Sequence, residues 1–211
     1  MIVQTLMLGP AQTNCYLVCA DTAREGAARE AVVIDPGWDA NVILGAARSA
    51  ELTITAILLT HGHFDHIGAV ADLKDALPVP VIAHARELDL LAAQGGAKSF
   101  GFTIRSMPQP DRLVAHGETI EIGALKFEVR HVPGHTSGHV AFVEQENRSV
   151  FVGDVLFAGS IGRTDLPGGD YETLIASITD QLLSLPDDFK VYPGHGPPTT
   201  IGLERRTNPF L

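Results

Sequence analysis

Thr60-His61-Gly62-His63-Phe64-Asp65-His66-Ile67-Gly68 is the stretch whose reading decides the fold. From position 61 to position 66 it offers three imidazoles and a carboxylate, all ligands for a divalent transition metal once deprotonated. A hydrophobic core has no use for so many titratable groups this close together. The run before it, Leu52 to Leu59, is rich in Ile and Leu and reads as a buried strand, and an apolar helical pattern begins at Ile67. The cluster therefore sits where a strand ends. Alternation along extended chain puts His61 and His63 on one side, while the turn into the helix swings Asp65 and His66 toward a neighbouring point. That geometry suits two metal ions side by side.

Around this stretch, 211 residues with 45% hydrophobic side chains can bury a sizeable core, as one large domain or two small ones. No run approaches eighteen consecutive apolar residues, so no transmembrane helix is expected. The apolar start, Met1 to Leu8, lacks a basic segment and a small-residue cleavage site and reads as a first strand, which makes a cytoplasmic location the expectation. Cys15 and Cys19 share one strand-like run, where four residues of extended chain hold their Cα atoms roughly 13 Å apart, beyond disulfide reach. They read as small buried side chains. Acidic residues outnumber basic ones 25 to 15, for a formal charge of -10, which disfavours nucleic acid as a partner. Two divalent cations would reverse the sign locally, leaving about +1 after two carboxylates and a hydroxide, so a small anionic substrate is still drawn in.

Strand patterns fall at residues 2–8, 14–19 and 31–34, followed by a helical pattern over 38–50 and the strand before the cluster. A helix over 67–76, a strand over 80–84 and a short helix over 85–93 complete an α/β first half. Residues 95–112 lack periodicity and carry Lys98, Arg105 and Arg112, which fits either an active-site lip or an ordinary surface crossover. Strands then recur near 112–115, 118–122, 125–132, 139–144 and 148–152, with a helix over 171–184, a strand over 189–192 and a helical tail from Thr199. Two sheets packed face to face with helices outside satisfy both halves.

Three further potential ligands each follow a strand by a few residues: His135 in Pro133-Gly-His-Thr136, Asp154 in Gly153-Asp154, and His195 in Pro193-Gly-His-Gly196. Four loops at strand ends could thus converge on one edge of a sandwich. Of the other histidines, His84, His116 and His131 read as surface or hydrogen-bonded groups, and His139 as a structural group or one that orients a ligand.

His-x-His-x-Asp-His at 61–66, with the three motifs at 133–136, 153–154 and 193–196, resembles the metallo-β-lactamase-fold hydrolases, and among them the hydroxyacylglutathione hydrolase (glyoxalase II) branch. The resemblance covers nearly the whole chain. It implies a single domain over residues 1–211 with an α/β (α+β) fold, a four-layer αββα sandwich of two mixed sheets with helices on the outer faces. It implies one metal on His61, His63 and His135, a second on Asp65, His66 and His195, and Asp154 bridging them. Zinc is the expected metal, with iron and manganese also suited to this nitrogen and oxygen set.

The activity implied is hydrolysis of a thioester, S-lactoylglutathione first, by a metal-bridging hydroxide. A thiol with an intrinsic pKa of about 8.5 leaves as thiolate without a strong acid, and Asp65 is the candidate to take or relay a proton. Arg163 matches the family's basic residue for the glutathione carboxylate; the competing role is a buried ion pair with an acid such as Asp165, which stands where the family has tyrosine. The chain looks like a short form, without the family's C-terminal helical domain and its basic residues. The runner-up is an iron-dependent persulfide dioxygenase of the same fold, using His61, His135 and Asp154 alone. A cysteine-using β-lactamase, a diiron flavoprotein and a nuclease each fit less well.

Overall fold

The computed structural model describes residues 1–21 and 29–211. Strands β1 (Ile2–Leu8), β2 (Thr13–Cys19) and β3 (Arg29–Ile34) lead to helix α1 (Ala40–Ser49), β4 (Leu52–Leu58), a single turn α2 (Phe64–Ile67) and α3 (Val70–Ala76). Then come β5 (Val81–His84), α4 (Leu88–Ala92), β6 (Arg112–Val114), β7 (Thr119–Ile122), β8 (Leu125–His131), β9 (Val140–Glu144) and β10 (Ser149–Gly153). A small hairpin of β11 (Leu156–Phe157) and β12 (Ser160–Ile161) precedes α5 (Tyr171–Ser177), β13 (Lys190–Pro193), β14 (Thr199–Thr200) and α6 (Ile201–Thr207).

Two six-stranded mixed sheets result, in the orders β1-β2-β3-β4-β5-β6 and β14-β13-β10-β9-β8-β7. Their inner strands are apolar on both faces because each sheet is covered twice. In β2, Cys15 and Leu17 pack with α1 and α3, while Tyr16 and Val18 face the other sheet. In β9, Phe142 points into the gap between the sheets, while Ala141 and Val143 pack with Leu174 and Ile178 under the second layer of helices. Three apolar layers between four structural ones make an αββα sandwich, as expected from the sequence.

Strand direction then places the site. β10 runs antiparallel to β9 and parallel to β13, and β8 is antiparallel to β9, so β8, β10 and β13 all end at the same edge of their sheet. At that edge the sheets are tied by Val140 N donating to Thr60 O at 2.8 Å and Asn14 N donating to Gly194 O at 2.7 Å.

Local differences from the sequence reading have physical causes. The helix expected over 67–76 is two pieces, because Ala69 N donates to Pro36 O and the ladder is interrupted between α2 and α3. Asp65 and His66 consequently lie inside a helical turn, not ahead of one. The helix expected over 171–184 ends its α-geometry at Ser177 and continues as a π-turn over Ile178–Leu182, where Leu183 N reaches back to Ile178 O at 2.8 Å. Residues 94–100 form tight 3₁₀ turns. Cys15 and Cys19 are free and buried. No helix of the described residues is long and apolar enough to cross a membrane.

Candidate metal centre

All seven residues read as ligands meet at the shared edge. His61, His63 and His135 form one cluster, Asp65, His66 and His195 another, each with its potential ligand atoms within 4.8 Å of one another. His61 and His63 follow β4, Asp65 and His66 stand in α2, and His135, Asp154 and His195 follow β8, β10 and β13. Asp154 lies between the clusters. Its Oδ2 is 3.7 Å from His135 Nε2 and 3.5 Å from His195 Nε2, and its Oδ1 is 3.3 Å from His66 Nε2. Close approach of backbone makes room for this: a Cβ on Gly194 would lie 2.1 Å from Asp154 Oδ1 and 2.7 Å from His66 Cε1.

Hydrogen bonds on the outer ring nitrogens turn the other nitrogens of these imidazoles inward. His135 Nδ1 donates to the Arg163 carbonyl at 2.7 Å, which turns its Nε2 lone pair inward. His66 Nδ1 donates to Asp35 Oδ2 at 3.0 Å, and His61 Nδ1 lies 3.1 Å from Thr60 Oγ1, which itself donates to Asp35 Oδ2 at 2.6 Å. Among the described residues, His61 Nε2, His66 Nε2 and Asp154 Oδ1 are buried with no hydrogen-bond partner. Such orphans are costly unless something binds them. Separations such as 2.9 Å from His63 Nδ1 to His135 Nε2 and 3.1 Å from His195 Nε2 to Asp65 Oδ2 are near the edge of about 3.3 Å that a tetrahedron with metal–nitrogen bonds of about 2.05 Å would have. The residues fit two divalent transition metal ions.

The electrostatics of the two clusters differ. Burial, reinforced by neighbouring imidazoles, pushes His61 well below its ordinary value and His63 down to about 3, so the first cluster offers neutral rings. Burial also lowers His66 and His195, but the carboxylates Asp154 and Asp65 overcome it, driving His66 well up and His195 up to about 9. Burial raises Asp65, yet the field of His66 and the bond from His195 prevail and hold it down at about 2. The second cluster is thus an electronegative hole that favours positive charge.

Several supporting residues carry no signal in the sequence. Asp35, besides His66 and the Thr60 hydroxyl, accepts from Thr60 N at 2.8 Å. Glu87 is 2% exposed and accepts from Gly62 N, Thr136 Oγ1 and Gly138 N, each at 2.7 Å, joining the two loops of the first cluster. Asn14 Nδ2 donates to Pro193 O and Gly196 O, and Tyr16 Oη to Pro193 O at 2.6 Å, gripping the loop of His195. His139 stacks on His61 with ring centroids 4.6 Å apart, and its Nε2 accepts from Asp154 N at 3.1 Å, so it orients a neighbour of the centre. His84 and His131 stack on each other 4.6 Å apart, and His116 accepts from His131 N.

A cleft of about 580 Å³ opens onto the centre and includes Arg163. The guanidinium makes a two-point pair with Asp165 at 2.7 and 2.8 Å, half-exposed and not buried. The segment 95–112 supplies Phe100 and Phe102 to this cleft. Two of its cations point elsewhere, Arg105 to Asp72 and Asp75, and Arg112 to Glu118.

An αββα sandwich with a His- and Asp-lined centre at one edge defines a class, and the chain belongs to the metallo-beta-lactamase superfamily, whose family model matches residues 8–195. Among individual proteins it is similar to the hydroxyacylglutathione hydrolase GloC of Haemophilus influenzae, with 41% identity over 100% of this chain and 98% of that one. Solved structures give the same picture. The BLEG-1 B3 metallo-beta-lactamase matches with a TM-score of 0.92 and 43% identity, covering 100% of this chain and 99% of that one. TTHA1623 in a di-iron-bound form matches with a TM-score of 0.89 and 48% identity, covering 99% and 100%.

Proposed function

We propose that the chain is a dinuclear metal-dependent hydrolase of small thioesters, with S-lactoylglutathione as the first substrate to test. The observation that carries this reading is Asp154, whose two carboxylate oxygens face both clusters. His61, His63 and His135 would hold one cation and Asp65, His66 and His195 the other, with Asp154 placed between them; the likeness to GloC supports the glutathione thioester. Two divalent cations held there supply an activated water and Lewis acidity toward a carbonyl.

The chain's own residues supply the rest. Asp65, steadied by Thr13 Oγ1 at 3.0 Å, is the side chain placed to relay to solvent the proton set free as the water oxygen bonds to the acyl carbon. The departing thiol, with an intrinsic pKa of about 8.5, leaves as thiolate and needs no acid. Arg163 is the candidate anchor for a substrate carboxylate, which it would take in exchange for Asp165.

Purified protein is expected to hold two metal ions per chain, zinc first, and to release thiol from S-lactoylglutathione. Asp154→Asn and His135→Ala should each lower kcat/KM at least about 100-fold. Full activity in either variant would refute the assignment. A β-lactam is the second substrate to assay, because the B3 metallo-beta-lactamase is 43% identical over the whole chain. Its leaving nitrogen needs a proton where a thiolate does not, so slower turnover than of the thioester is expected. The persulfide dioxygenase reading leaves Asp65, His66 and His195 idle. One iron per chain, with oxygen uptake on glutathione persulfide, would establish it instead.

A further inference from the structure

The cleft over the centre is walled by apolar groups. Phe64, Phe100, Phe102, Phe157, Ile161 and Leu166 line it, and among the described residues the one lysine or arginine there is Arg163, which is paired with Asp165. Its aromatic side is built into the molecule. Phe64 stacks on Phe102 with centroids 5.1 Å apart and interplanar angle 21°, lies 5.3 Å from Phe100, and Trp38 closes the row by meeting Phe102 edge-on at 5.9 Å. The loop bearing Phe100 and Phe102 is pinned at Gly95, whose φ of +60° and contact distance, 2.2 Å from an added Cβ to Phe64 N, admit no side chain. Phe64 is buried, but Phe100 keeps 41% of its surface exposed. From the β11–β12 hairpin, Phe157 stands edge-on to His195 at 6.3 Å.

A rigid aromatic surface beside reacting atoms discriminates by apolar area and ring stacking. Resting on the reading of a hydrolytic centre, we infer that this cleft selects substrates by an apolar, planar group carried next to the scissile bond, with Phe100 and Phe157 determining that specificity. The group is the one carried on the acyl side of the thioester, and two experiments that vary the substituent on the glutathione sulfur test it.

Binding is measured on the metal-loaded protein with thioethers that cannot be hydrolysed, S-benzylglutathione and S-methylglutathione. Wild type is expected to prefer the benzyl compound about tenfold, with the preference reduced to about twofold in Phe100→Ala and Phe157→Ala and retained in Phe100→Leu to about fivefold. Turnover is tested on the same side by comparing kcat/KM for S-mandeloylglutathione and S-lactoylglutathione, which differ by a phenyl in place of a methyl group. A preference in either experiment that the alanine variants erase supports the inference, and a preference that they leave intact overturns it. Equal thioether affinities together with no gain for the mandeloyl ester overturn it. The thioester-hydrolase reading fails separately: selective thioether binding with no turnover of either ester refutes the reading and leaves the aromatic selectivity standing.

Discussion

Glu87 touches none of the inward ligand atoms, yet three donors converge on it from the two loops that carry His61, His63 and His135. Burial raises its pKa, and the hydroxyl of Thr136 and the amides of Gly62 and Gly138 work against that rise. A glutamine there would turn an NH₂ group toward one of the donors. Glu87→Gln is therefore expected to cost about 2 kcal/mol, seen by calorimetry as a Tm lower by about 4–8 °C, and to weaken metal binding about tenfold in a chelator competition. Unchanged values in both measurements would mean that the loops hold themselves. At this scale the sequence was uneven in what it showed. The seven clustered residues were legible because imidazoles and carboxylates beside glycine at strand ends have few other uses. Asp35, Glu87 and Asn14 were not, since a single polar residue carries no sign that its partners lie 25, 51 or 182 positions away.

The β11–β12 hairpin shows how an element can serve the cleft without serving the centre. Buried Glu204 on α6 accepts from Gly159 N at 2.9 Å and from Asn208 Nδ2, and Asn208 donates to Ser160 O at 3.0 Å, so the tip of the hairpin is fastened to the last helix. Glu204→Ala should loosen Phe157, raising KM several-fold while the metal content stays at the wild-type value. Lost metal, or an unchanged KM, would contradict that division of labour. Long strands buried on both faces were readable to within a residue or two, because uninterrupted Val, Ile and Leu between turn signals admit few alternatives. The two-residue strands were invisible, since pairing that short leaves no period to detect. The break between α2 and α3 was equally hidden, as it depends on the Pro36 carbonyl, thirty-odd positions back in the chain.

Across the whole molecule, His84 at the end of β5 and His131 at the end of β8 stack between the two sheets. Burial, then the neighbouring His131, depresses His84 to about 4, and burial lowers His131 as well. A depressed imidazole contributes stability above its unfolded value of about 6.5 that is lost as pH falls toward 4, because the unfolded chain takes up the proton first. Thermal melts should therefore show His84→Gln less stable than wild type at pH 8, with the gap narrowing by about 2 °C at pH 4, the effect kept small by solvent around half-exposed rings. A gap that widened on acidification would reverse the assigned sign. The same two-sheet construction bears on the centre. Each cluster draws side chains from both sheets: His61 and His63 with His135, Asp65 and His66 with His195. A bound ion would then act as a cross-link over the seam of the sandwich, and its binding free energy would count toward keeping the halves together. Chelation should lower the melting temperature and expose this end of the sandwich to protease before the rest, and ion escape should be paced by parting of the sheets.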